Sequence, residues 1–119
     1  MREILNPFPD ALLDAPHWWV ALSGGADSVA LLYALAAYRD ALSAPPLLAI
    51  HVNHGLHAAA GEWSDLCQRH ADSLGVPLHI NACNIEPSGR GVEADARRER
   101  YRAFEGVLAE GDILFTAHH

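Results

Sequence analysis

Lysine is absent from this chain of 119 residues, so all of its positive charge is arginine, and 8 Lys+Arg against 15 Asp+Glu leave a formal net charge of −7. The missing lysine excludes a Walker A phosphate loop, which needs Lys beside Ser or Thr. The acidic excess argues against this stretch alone gripping nucleic acid through a broad basic face. Cysteine is scarce too: Cys67 and Cys83 stand too far apart for a CxxC pair and are too few for a disulfide framework. Both are expected to be reduced and buried as small hydrophobes. Long apolar runs are also missing. The longest, Val29 to Tyr38, has ten residues, against the ~20 that a membrane span needs. The amino-terminal MREILNPFPD has no apolar signal core before its prolines. A soluble, cytoplasmic protein with no membrane partner is the expectation.

Half of the residues are apolar, which excludes a disordered chain. The length fits one domain or part of one, burying roughly two thirds of its unfolded surface. Strand-like and helical runs alternate without repeats or a low-complexity linker. HWWVAL (17–22) reads as a buried first strand ended by glycines, with Trp18 and Trp19 covering its two faces. Val29, Leu32, Leu35, Ala36 and Tyr38 recur at helical spacing from Ser28 to about Leu42, until SAPP stops them. LLAIHV (47–52) is a second strand. A helix over about 59–74 follows, with Trp63, Leu66, Cys67 and His70 on one stripe and Gly75 as its stop. PLHINAC (77–83) is a weaker third strand, Val92 to Gly111 a long helix, and DILFTA (112–117) a fourth strand. Strands separated by helices of this length imply an α/β fold: an open parallel sheet with helices on both faces and right-handed crossovers.

The segment SGGADS (23–28) occupies the first strand-to-helix turn, the usual phosphate seat of such sheets. Gly24 and Gly25 can adopt positive φ and let backbone amides approach a phosphate, Ser23 and Ser28 can donate from their hydroxyls, and the helix start adds N–H groups and its dipole. The plainer alternative is a tight turn with Asp27 or Ser28 as helix cap. Five fixed residues at roughly 5–9% abundance each coincide about once in a million starts, which favours the functional reading. Asp27 then needs a reason. A carboxylate about 4 Å from a phosphate charge is repelled by roughly 4 kcal/mol at an effective dielectric near 20, against about 1 kcal/mol gained from the helix dipole. A magnesium ion held between Asp27 and the phosphate oxygens reverses the sign. The loop is therefore expected to bind a metal-chelated polyphosphate.

HVNHGLH (51–57) is weak as a metal site, because strand residues three apart face opposite sides and no Cys or acidic ligand joins them. It is either a connecting loop or a cover for the nucleotide, with Asn53, His54 and Gly55 lining it. EADARRERYR (93–102) carries four arginines, and Arg97 and Arg100 share a helix face. They form either a solvated face laced with Glu93, Asp95 and Glu99, or the cation that a lysine-free chain offers to departing phosphates.

At these residues the sequence resembles a known family. SGGADS, including Ala26, is similar to the PP-loop signature of ATP-pyrophosphatases, which cleave ATP between the α and β phosphates and adenylate a substrate oxygen. HVNHGLH, GVEADARRERYRAF and LFTAHH resemble, in order and spacing, segments of the tRNA(Ile)-lysidine synthases from Trp18 onward. The resemblance implies an adenine-nucleotide α-hydrolase type of fold, ATP held by Ser23 to Ser28, Mg2+ held by Asp27, and Arg97 or Arg100 on phosphates or substrate. It further implies that ATP activates C2 of the wobble cytidine of an isoleucine tRNA and that the ε-amine of free lysine displaces AMP.

Some features depart from that family. His57 stands where Arg or Ser is frequent. The final histidine pair is normally followed by two aspartates, a further strand and tRNA-binding domains. The expectation is an incomplete catalytic unit, residues 1–119 of one domain, with weak or no turnover alone and open strand edges able to drive homodimerisation. Other readings are a tRNA thiolase, whose 2-thiocytidine type carries CxxC cysteines that this chain lacks, and a non-catalytic ATP-binding module.

Overall fold

The computed structural model describes residues 10–23, 25–53, 60–82 and 89–117. In chain order the elements are α1 (Asp10–Leu13), β1 (Trp18–Ala21), α2 (Ala26–Ala41), β2 (Leu47–Asn53), α3 (Ala60–Ser73), β3 (Leu78–Ala82), α4 (Val92–Val107) and β4 (Ile113–Phe115). Four strands form one sheet in the order β3-β2-β1-β4, and all pairs are parallel. The expected α/β architecture is what folds.

The sheet is covered on both sides because its strands are apolar on both sides. Trp18, Val20 and Leu22 of the first strand region point to a core shared with Leu32, Leu35 and Ala36 of α2 and with Cys67 and Ala71 of α3. Trp19 and Ile50 point the other way, against Ala103 and Phe104 of α4. Burial of a side chain of this size is worth about 1.5–3 kcal/mol each, so the paired tryptophans hold both layers. The indole N–H of Trp18 also donates to the Leu12 carbonyl at 2.7 Å, which pins α1 to the sheet. The ring of Trp18 meets Phe115 edge-on, with centroids 5.3 Å apart. Steps from β1 to β2 to β3 carry their helices on one face, and the return to β4 carries α4 on the other. Right-handed crossovers require this reversal.

Several expected boundaries move. The helix starting at Val92 ends at Val107 rather than Gly111. Residues 108–112 turn instead: Leu108 is extended as the C-cap, Gly111 has φ 88°, and the Ala109 N–H donates to the Asp112 carboxylate at 2.8 Å. The expected stripe on α3 shifts as well. Trp63 is 43% exposed, and the buried face is Ser64, Cys67 and Ala71. Trp63 stands one position outside the stripe that the sheet covers. Gly75 does stop α3: with φ 67° it lets its own N–H reach the Asp72 carbonyl and Val76 N–H reach the Ala71 carbonyl, a Schellman closure.

Candidate functional site

The strand order reverses at β1, whose neighbours are β2 on one side and β4 on the other. Ligands of open parallel sheets bind beyond the carboxyl ends of the strands at such a switch point. The turn that leaves β1 there is the SGGADS segment.

Its local structure follows from a serine network. Gly25 is the N-cap of α2 with φ −75° and ψ 160°, and no side chain caps it. The cap is thus neither Asp27 nor Ser28. Gly25 also does not use positive φ, contrary to the sequence expectation, and Gly24 lies outside the described residues. A Cβ on Gly25 would meet only the Ser23 hydroxyl, at 3.5 Å. The protein itself would therefore tolerate a side chain at Gly25, and glycine there leaves clear space above the turn. Ser28 is 4% exposed. Its hydroxyl accepts from the Ser23 N–H at 3.1 Å and from the Ser23 hydroxyl at 3.0 Å, and donates to the Gly25 carbonyl at 3.0 Å. One donor and two acceptor positions are all that a hydroxyl has. Ser28 thus organises the turn from below, while Ser23, Gly25, Ala26 and Asp27 are exposed above it. The Ser23 hydroxyl also accepts from the Gly25 N–H at 3.3 Å. The α2 ladder opens with Val29 N–H to the Gly25 carbonyl at 3.1 Å, so the positive end of the helix dipole lies in this turn.

Asp27 stands in the first turn of α2. One exposed carboxylate beside a phosphate seat suits magnesium, which takes one or two carboxylates and completes its shell with phosphate and water oxygens. Among the described residues there is no group of three or more His, Cys, Asp and Glu able to hold a metal ion by itself.

Asn53, at the end of β2, donates to the Ser64 hydroxyl at 3.0 Å and ties the strand to α3. His54, Gly55 and His57 lie outside the described residues. Between α4 residues the ion pairs run through Arg98, with Asp95 at 3.3 Å and Glu99 at 3.5 Å, and through Arg102, with Glu99 at 3.4 Å. Arg97 instead lies 5.4 Å from the Tyr101 ring centroid. Arg97 and Arg100 are outside that ladder, and among the described residues no hydrogen bond or ion pair links them to the SGGADS turn. The mixed acid–arginine face expected for this helix is therefore present, but on Arg98 and Arg102.

Two buried groups take roles that the sequence did not suggest. His51 is buried, and its Nδ1 lies 2.7 Å from the Leu22 carbonyl; its only signal was a histidine inside an apolar strand run. Asp112 accepts from His17 Nδ1 at 2.9 Å, Trp19 Nε1 at 3.1 Å and Ala109 N–H at 2.8 Å. Burial raises its pKa, but these donors and the His17 charge outweigh it and hold the carboxyl below its ordinary 3.8. Cys67 is a free, buried thiol, as expected, and burial pushes its pKa up to about 11. Cys83 lies outside the described residues.

A glycine-serine turn at the switch point of a parallel sheet, opening a helix with an aspartate in its first turn, defines a nucleotide-binding α/β domain. The family described as a PP-loop domain matches residues 1–119, and the chain belongs to it. It is similar to tRNA(Ile)-lysidine synthase of Pseudomonas putida, 49% identical over 107 residues, covering 90% of this chain and 25% of that protein. The tRNA(Ile)-lysidine synthase of Yersinia pseudotuberculosis is 40% identical over 118 residues, covering 98% of this chain and 26% of that protein. The chain thus spans about a quarter of the length of these relatives. Among solved structures, the U34-tRNA thiolase NcsA from Methanococcus maripaludis with its 4Fe-4S cluster superposes with a TM-score of 0.70 at 22% identity, over 94% of this chain and 41% of that one. That likeness is one of fold.

Proposed function

We propose that the chain is the ATP-binding, adenylating portion of a cytoplasmic tRNA(Ile)-lysidine synthase. The supporting observation is the SGGADS turn at the switch point, together with 40–49% identity to proteins of that name. In this reading the backbone of Ser23 to Ser28 and the α2 start cradle the ATP phosphates. Ser28 keeps the turn in shape, and Ser23, which is exposed, re-aims its hydroxyl toward the ligand. Asp27 would hold Mg2+, which when bound neutralises the phosphates and stabilises the pyrophosphate that departs. Asn53 and His54 line the nucleotide from the end of β2, and Arg97 or Arg100 meets phosphate or tRNA.

The chemistry follows from the leaving group. The C2 oxygen of the wobble cytidine is a poor one, so it attacks the α-phosphorus of ATP, pyrophosphate leaves, and the oxygen now belongs to a good leaving group. The lysine ε-amine then adds at C2, AMP departs with the oxygen, and the amine proton goes to solvent. ATP–pyrophosphate exchange by the full-length protein, with and without isoleucine tRNA and lysine, tests the reading. We expect exchange to require tRNA and AMP release to require lysine. Tight ATP binding with no exchange would instead fit an ATP sensor.

A further inference from the structure

His51 follows four apolar residues in β2 and is 4% exposed. Its Nδ1 lies 2.7 Å from the Leu22 carbonyl oxygen. A carbonyl only accepts, so Nδ1 carries the hydrogen and donates. Leu22 is the last residue before the SGGADS turn. Pairing of β1 with β2 ends at Ala21 and Ile50, and Leu22 keeps one further rung, its N–H on the Ile50 carbonyl at 2.8 Å.

The next peptide unit, Leu22–Ser23, is planar, so its carbonyl and its N–H point in opposite, linked directions. Both ends are held by buried side chains from different elements. His51 of β2 holds the carbonyl, and Ser28 of α2 accepts from the N–H at 3.1 Å. The same Ser28 hydroxyl fixes Gly25. Rotation of this one peptide would break both holds and free the Ser28 hydroxyl that also fixes the Gly25 carbonyl, so the turn would lose the contacts that set its shape.

We infer that His51 is a positioning residue of the phosphate loop: its Nδ1–H clamps the Leu22–Ser23 peptide and so aims the backbone amides of the turn at the triphosphate of magnesium-bound ATP. The inference rests on the nucleotide-binding reading above. Cys67 shares the pocket, with Sγ 3.7 Å from Nδ1 and 3.9 Å from the Leu22 carbonyl, but as a thiol it is only a weak donor. The imidazole sets the geometry.

A histidine that merely fills the core makes a different prediction, and side-chain chemistry separates the two. Asparagine places an amide N–H about where Nδ1 stands, whereas leucine keeps bulk without a donor. In the full-length protein, we expect His51→Leu to weaken MgATP binding by about tenfold or more, the loss that one buried hydrogen bond controls. His51→Asn should stay within about threefold of wild type. Cys67→Ala loosens the same pocket but leaves the donor in place; it should lower the melting temperature with little change in affinity. If folded His51→Leu binds MgATP like wild type, if His51→Asn is as weak as His51→Leu, or if affinity simply follows melting temperature across the three variants, the clamp is wrong. Should His51→Leu not fold, 15N spectra of the wild-type imidazole decide. A hydrogen-bonded Nδ1–H tautomer supports the clamp, and an Nε2–H tautomer overturns it. Failure of wild type to bind MgATP at all would remove the loop reading and the clamp together, and is distinct from wild type and His51→Leu binding equally well.

Discussion

At the scale of single residues the sharpest test falls on Asp27, because a negative side chain beside a polyphosphate is tolerable only with a cation between them. Asp27→Asn changes an exposed position and should leave the fold intact. Nucleotide affinity in magnesium should fall about 10- to 100-fold, equivalent to about 1.5–3 kcal/mol for a charge-assisted contact, and the remaining binding should ignore EDTA; titration with and without chelator reads both. Cys67 offers the opposite case, a group that burial silences. Its folded pKa of about 11 stands above the ordinary 9.0, so its contribution to stability is complete below pH 9 and is lost as pH rises toward 11. Native protein should resist thiol reagents at neutral pH, with labelling of Cys67 appearing only on unfolding, as mass spectrometry of the peptide would show. Asp27 was legible in the sequence because its residue type contradicts its setting. Ser28 was legible only as a hydroxyl, since nothing local says that its donor and both acceptor positions are taken within the turn.

At the scale of elements, the turn from α4 into β4 is held by Asp112, whose side chain is 2% exposed. Its carboxylate binds the indole N–H of Trp19 in β1 and the imidazole of His17 just before it, so it closes the bottom of the sheet, opposite the phosphate loop. Its pKa is lowered in the fold. The stabilisation is therefore present above the unfolded value near 3.8 and is lost as pH falls through the lower folded one. Urea midpoints followed from neutral to acid pH should drop steeply for wild type and much less for Asp112→Asn, which should already be weaker at neutral pH. Gly111 belongs to the same turn. An alanine there would sit at φ 88° with its Cβ 3.2 Å from Pro16 Cδ, whereas at Gly75 it would meet no atom within 4 Å and only the φ of 67° opposes it. Gly75→Ala should cost about 1 kcal/mol for the left-handed conformation alone, and Gly111→Ala more, with thermal melts reading the difference. The sequence placed a helix through this turn because Leu108, Ala109 and Glu110 are good helix formers. Tertiary contact overrode that preference, since His17 and Trp19 reach the Asp112 carboxylate only when the chain turns back to β1.

At the scale of the whole molecule, β1 and β2 are paired on both sides and β3 on one. Hydrogen exchange should accordingly find the amides of Trp18–Ala21 and Leu47–Asn53 slower than those of Leu78–Ala82, whose burial pattern is the most open of the three strands. Uniform exchange across them would contradict the topology. No helix among the described residues is long and apolar enough to cross a membrane. Alternation of apolar strands with amphipathic helices was determined by the sequence itself, because periodicity and glycine or proline stops are local properties. Parallel pairing was legible as well, since parallel strands need long crossovers and each connection here carries a helix of that length. The candidate phosphate loop was legible in the same way, as a contiguous run of small residues around one aspartate. Only the tertiary structure decided that β4 returns beside β1, that α4 covers the face opposite α2 and α3, and that His51 grips a carbonyl 29 residues away. Those outcomes depend on which side of the sheet each crossover takes and on strand register, and both are set by contacts between distant residues that no local pattern encodes.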